Sequence, residues 1–173
     1  MIRDVRNLTD LDEYKMPLEP KEILSRLNSA IDFTRISFPQ KNIDIKVISN
    51  DGKLYAIANE LLGELFENVL INAIKYNRNN VVQIEVVISK VETQYKNYVK
   101  IEFKDNGIGI DDARKAMIFQ EVPFKRRHSN GMGIGLSLVA KLIGLYNGEI
   151  WVEDRIKGDY TQGSNFIILI PLA

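Results

Sequence analysis

The chain has 173 residues, 45% of them hydrophobic and 27% charged, and its 23 basic residues balance 23 acidic ones. Those values suit one globular domain with a real core and exclude a disordered or collagen-like chain. They also disfavour a protein that lives on nucleic-acid phosphates, which usually carries a basic excess. With no cysteine in the sequence there is no disulfide framework, thiolate metal site or cysteine nucleophile. The apolar runs are short and the start holds no signal-like block, so neither a membrane span nor an export signal is expected.

Residues 1–16 set Ile2, Val5, Leu8 and Leu11 three apart, a short amphipathic stripe that Pro17 and Pro20 break. It is expected to end a preceding helix, truncated here, with the globular domain over 17–173. Pro20 suits the first turn of a new helix, whose face is Ile23, Leu24, Leu27, Ala30, Ile31 and Thr34 and which stops by Pro39. Ile43, Ile45 and Val47 alternate with Asn42, Asp44 and Lys46, predicting a half-buried strand, and Asp51-Gly52 is a turn. Leu61, Leu62, Leu65, Phe66, Val69, Leu70, Ala73 and Ile74 give the strongest helix signal, with Asn59 as its expected N-cap. Val82 to Ile88 and Val99 to Phe103 predict two strands, over 81–90 and 97–104, joined too closely for a crossover helix and therefore antiparallel. A glycine-rich turn from Asp105 to Ile110 precedes a short helix near 111–119, a polar loop near 120–130 and a helix over 133–146. Ile150-Trp151-Val152 and Phe166 to Ile170 supply the last strands. This order predicts an α/β two-layer sandwich: a mixed, mostly antiparallel sheet with helices on one face.

Four features carry chemistry. Glu60, Glu64, Asn68 and Asn72 lie four apart on the long helix, continued by Lys75 and Tyr76, and so share one face. Asparagine is a poor helix former. Two of them mid-helix suit either amide ligation of magnesium beside a lysine that meets phosphate, or a plain solvated face. Asp105-Asn106-Gly107-Ile108-Gly109-Ile110 is either an ordinary turn or a place where a ligand approaches backbone and a carboxylate accepts from it. Gly131-Met132-Gly133-Ile134-Gly135-Leu136-Ser137 opens a helix, where N–H groups and the helix dipole form a phosphate cradle or glycines allow close packing. It is neither a Walker loop nor a dinucleotide fingerprint. Between the two glycine stretches, Lys125, Arg126 and Arg127 either close over a polyphosphate or remain a solvated loop, and His128 reads as loop surface.

In this order, Asn-x-x-x-Asn-Ala-x-Lys-Tyr, Asp-x-Gly-x-Gly, Gly-x-Gly-x-Gly-Leu-Ser and Gly-Ser-Asn-Phe form a specific combination. It resembles the GHKL superfamily of gyrase, heat-shock chaperone, mismatch-repair and histidine-kinase nucleotide-binding domains. Within it, residues 18–173 look like the catalytic ATP-binding domain of a sensor histidine kinase of a two-component system. The resemblance implies a Bergerat-type fold that binds Mg-ATP and donates the γ-phosphate to a histidine on a separate helical segment.

It implies that Asn68 and Asn72 face magnesium, that Lys75 contacts phosphate and that Tyr76 packs near adenine. Asp105 would read the adenine amino group, with Gly107, Gly109 and Ile110 beside it. Gly131, Met132, Gly133, Ile134, Gly135 and Leu136 would cradle the phosphates, while Lys125, Arg126 or Arg127 reach in from a lid. Ser164 and Asn165 would lie near the pocket floor. The family's ATPase branches carry a glutamate where Asn68 stands, so weak hydrolysis is implied.

No helical histidine acceptor is present, which implies a fragment of a larger kinase. Its partners would be ATP and ADP, the dimerisation and phosphotransfer helices, and a response-regulator receiver domain, with no nucleic acid or membrane contact. The location would be cytoplasmic, including the cytoplasmic part of a membrane-bound sensor. The rival within the superfamily is an ATPase or ATP-driven conformational switch. Outside it stand an S-adenosylmethionine-dependent methyltransferase and a domain used only for protein contacts.

Overall fold

The computed structural model describes residues 16–120 and 133–173. In chain order these form β1 (Glu19–Glu22), α1 (Ile23–Ser37), β2 (Asn42–Ser49), β3 (Tyr55–Ala58), α2 (Leu62–Lys75), β4 (Val81–Glu92), β5 (Asn97–Asp105), α3 (Asp112–Lys115), α4 (Gly133–Leu145), β6 (Glu149–Ile156) and β7 (Asp159–Pro171). The stripe over residues 1–15 lies outside the described residues.

The alternation of apolar residues, period two, aims one side of every central strand at the helices. Five strands pair in the order β2-β4-β5-β7-β6. β2 runs parallel to β4, and the remaining pairs are antiparallel. The hairpin expected from the close spacing of β4 and β5 is present, with Val86 opposite Phe103. Val82, Ile84, Val86 and Ile88 of β4, Val99, Ile101 and Phe103 of β5, and Phe166, Ile168 and Ile170 of β7 form the buried face. Against it lie Leu62, Leu65, Phe66, Val69, Leu70 and Ile74 of α2, and the Phe66 and Phe103 rings meet with centroids 6.0 Å apart. Each such side chain contributes roughly 1.5–3 kcal/mol by leaving water. α1 packs on α2, and α2 on α4. The predicted two-layer, mostly antiparallel sandwich is therefore the observed architecture.

Two local expectations are corrected. Pro20 does not open a helix: it lies in β1, opposite Ile57 of β3 in a two-stranded antiparallel ribbon. A two-stranded ribbon has only edge strands, which tolerate a residue without an N–H, and the helix starts at Ile23, whose N–H bonds the Leu54 carbonyl at 3.0 Å. Nor is Asn59 the N-cap of α2, which is Leu61. Asn59 is buried, and its Oδ1 accepts the Leu61 N–H at 3.0 Å and the Tyr146 hydroxyl at 2.6 Å. A fully buried tyrosine hydroxyl needs a partner, and Asn59 supplies it from across the helical layer.

Candidate functional site

The polar edge of α2 divides along its length. Glu60, just before the helix, is drawn away by Lys21 and by Arg26, the latter at 2.9 Å. These pairs tie β1 and α1 to the start of α2. One turn into the helix, the Asn68 side-chain N–H donates to the Glu64 carbonyl at 2.8 Å, which leaves Oδ1 as the outward acceptor. That oxygen stands against the first turn of α4, because a Cβ built on Gly135 would come within 2.9 Å of it. A side chain at Gly135 would require the Asn68 amide to move aside. A turn further on, Asn72 is buried, and its Nδ2 has no hydrogen-bond partner among the described residues. An orphaned buried amide costs about 1–3 kcal/mol, and a ligand with acceptor atoms would remove that cost.

Asp105 ends β5 beneath this helix and is only 5% exposed. Its Oδ1 accepts the backbone N–H groups of Gly107 at 2.8 Å and Ser164 at 3.3 Å. Burial pushes the carboxyl up to about 6, against the opposing pull of those two N–H groups and of Arg155. The turn is clamped on both sides. The Ile108 N–H bonds the Tyr76 carbonyl at 3.0 Å, and a Cβ on Gly107 would stand 2.7 Å from that same carbonyl. Gly163, at φ +110°, lies so near that a Cβ would reach 1.9 Å from the Asp105 carbonyl oxygen. Asn106 pins the turn further, with its amide bonded to the Val81 carbonyl, the Gln83 N–H and the Asn77 side chain.

Asn72, Ala73, Tyr76, Asp105, Gly109, Ile110, Leu136, Ser164 and Phe166 line one cleft of about 340 Å³, its mouth included. Seven of these were site candidates from the sequence, contributed by α2, the Asp105 turn, α4 and β7. The lining is apolar, with few polar groups converging on it, as in small-molecule sites generally. Burial also raises the phenol of Tyr76 above its ordinary value. Asn68 and Gly135 meet beside the cleft. Gly107 serves from behind by fixing Asp105, and Lys75 is exposed at the end of α2. Gly133 begins α4 with Ile134 next to it, while Lys125, Arg126, Arg127, His128, Gly131 and Met132 lie outside the described residues.

Asn165 is a correction: successive strand residues face opposite ways, so with Ser164 in the cleft its amide turns to Glu102 at 3.0 Å. The sequence reading missed Ala73 and Phe166 as lining residues because both look like core. Gly163 was part of the Gly-Ser-Asn-Phe motif, but no local signal showed that it must pass against the Asp105 carbonyl. Phe119 meets Phe166 edge-on, with centroids 6.2 Å apart.

The residues present fit a magnesium nucleotide. The orphaned Asn72 amide, the free Asn68 oxygen and the glycine-opened start of α4 offer neutral ligands and N–H donors, and Asp105 offers a fixed acceptor beside apolar walls. Among the described residues no cluster of histidines or carboxylates could hold a metal unaided, so a cation here would share its shell with ligand oxygens, as magnesium commonly does.

Comparison with known proteins places the chain in a family and its fold among solved structures. The profile of the family described as histidine kinase-, DNA gyrase B- and HSP90-like ATPase matches residues 57–173. Cyanobacterial phytochrome A of Nostoc sp. is 29% identical over 177 residues, covering 99% of this chain and 21% of that protein. The adaptive-response sensory kinase SasA of Synechocystis sp. is 30% identical over 164 residues, 92% of this chain and 40% of that one. This chain thus spans from a fifth to two fifths of the length of these relatives. Among solved structures, the mycobacterial sensor histidine kinase MprB superposes with a TM-score of 0.73 at 19% identity, over 90% of this chain and 97% of that one. Full-length ShkA in complex with AMPPNP gives 0.77 at 21% identity, over 99% of this chain and 35% of that one. At such identities the structural likeness speaks for the fold.

Proposed function

This chain belongs to the family of histidine kinase-, DNA gyrase B- and HSP90-like ATPases, and from that premise we propose that it binds Mg-ATP and passes the γ-phosphate to a histidine on a separate helical segment. The observation that carries the reading is Asp105, a buried carboxylate in the cleft wall whose Oδ1 is fixed by two backbone N–H groups. Its other oxygen is left to accept from a ligand, and an adenine amino group is a donor of the right kind. Tyr76, Ile110, Leu136 and Phe166 give the base apolar walls.

Asn68 and Asn72 are the metal-facing residues of this proposal, and the N–H groups at the start of α4 meet the phosphates. Lys75 and the cations Lys125, Arg126 and Arg127 are assigned to phosphate as well. Magnesium, when bound, neutralises charge on the transferring phosphoryl group. An amide at position 68 cannot take a proton from water at neutral pH, so this chain lacks a general base there and hydrolysis is slow. In this reading residues 17–173 form the catalytic domain. The partners are the phosphotransfer helices and a receiver domain, in the cytoplasm.

Calorimetry with ATP and ADP, with and without magnesium, tests the cleft. Binding is expected between micromolar and millimolar, about −4 to −8 kcal/mol. Asp105→Asn should weaken it roughly tenfold or more by removing a charge-assisted bond. Incubation with γ-labelled ATP and a histidine-bearing helical segment should then leave acid-labile label on histidine. Indifference to both nucleotides at millimolar concentration would overturn the proposal. Fast phosphate release with no transfer would favour the ATP-driven switch.

A further inference from the structure

The turn from Asp105 to Ile110 borders two recesses. Asp105, Gly109 and Ile110 line the nucleotide cleft, whereas Asn106, Gly107 and Ile108 line a separate recess of about 740 Å³, its mouth included, that shares no residue with it. Arg78, from the segment after α2, and Arg155, from β6, supply its charge, and no carboxylate lines it. Neither guanidinium makes a hydrogen bond or ion pair with another described residue, although the charge of Arg155 acts on the Asp105 carboxyl. Arg155 and Gln83 also border a neighbouring recess that holds Asp44 and Glu85 beside Lys46 and Lys104, while the acids nearest the Asp105 turn are hydrogen-bonded. Asp105 accepts from Gly107 and Ser164, and Asp159 accepts the Thr161 N–H at 3.1 Å and its hydroxyl.

The wall is rigid rather than adaptable. Asn106 spends its amide on Val81, Gln83 and Asn77, and Asn79 donates to Asn77 and to the Asn106 carbonyl. The amides therefore build the recess and the two arginines remain to recognise what enters it. Arg155 sits where the β6–β7 register slips between Asp154 and Ile156, and such a bulge re-aims a side chain. Two planar, permanently charged forks with no acidic neighbour in the lining match an oxyanion of two charges better than a single carboxylate.

We propose that the recess between Arg78 and Arg155 is a second anion site, separate from the nucleotide cleft, that takes the phosphoryl or pyrophosphoryl group of a small molecule. The test uses the whole chain, titrated with inorganic phosphate or pyrophosphate at constant ionic strength, with and without excess ADP. The amide shifts of Asn106, Gly107, Ile108, Thr161 and Gln162 are followed by NMR. Expected are saturable shifts at millimolar anion, tighter for pyrophosphate, that persist with ADP present. Arg78→Gln and Arg155→Gln should each weaken them roughly tenfold, the loss of one charge-assisted contact, with the rest of the spectrum unchanged. Arg78 is exposed and Arg155 half-buried, so both variants keep the core. Shifts that never saturate, or that survive in the double variant, overturn the proposal. The arm without ADP reads the recess even where no nucleotide binds, so failure of the nucleotide reading is seen separately.

Discussion

Replacing Asp105 by asparagine should make the ligand-free fold more stable, and the gain should depend on pH. Burial raises this carboxyl from 3.8 in the unfolded chain to about 6 in the fold. Well below pH 3.8 both states hold the proton and the penalty is absent. Between 4 and 6 the native state binds more protons than the unfolded state, so wild-type stability falls as pH rises. Above 6 the ionised form costs the fold roughly 3 kcal/mol, from about 1.4 kcal/mol per unit of displacement. Asparagine never ionises, and its oxygen can keep both the Gly107 and Ser164 N–H bonds.

The difference between variant and wild type should therefore grow by about 2.5 kcal/mol from pH 4 to pH 8. Urea unfolding across that range, read from the single tryptophan, Trp151, measures it, and titrations common to both proteins cancel. A difference that stays flat from pH 4 to 8 would refute the reasoning. The same ionisation should make nucleotide affinity in the wild type fall as pH drops below about 6, because a protonated carboxyl no longer offers a charged acceptor.

Asn72→Leu should remove the orphaned Nδ2 and raise stability by about 1–3 kcal/mol, while nucleotide binding is lost; denaturation and calorimetry on one sample read both. Gly163→Ala must place a Cβ 1.9 Å from the Asp105 carbonyl oxygen at φ +110°, and a loss of roughly 3 kcal/mol or more is expected in thermal unfolding. Tyr146→Phe deletes the 2.6 Å bond to Asn59, yet Asn59 keeps the Leu61 N–H. The expected cost is about 1 kcal/mol, or a melting temperature lower by roughly 2–4 °C.

Periodicity made the main elements legible in the sequence, because an apolar side chain's spacing records which face of a helix or strand is buried. The stripe from Leu61 to Ile74, the alternation in β2, β4 and β5, and the layer architecture all follow from that local rule. The polar motifs were legible as well, since asparagines inside a helix and glycines around an aspartate run against local preference and so mark a site. What local rules do not contain is which surfaces meet. Pro20 reads as a helix starter until Ala58 to Tyr55 arrive to pair with its strand, and Asn59 reads as a cap until Tyr146, far along the chain, needs its oxygen. Gly163 is only the first residue of a motif until β7 passes against the Asp105 turn and shows why a side chain cannot stand there. The burial that lifts Asp105 and the two arginines that share a recess exist only after residues distant in the chain have been packed together. Desolvation and steric contact are properties of the assembled neighbourhood, and no stretch of sequence holds them alone.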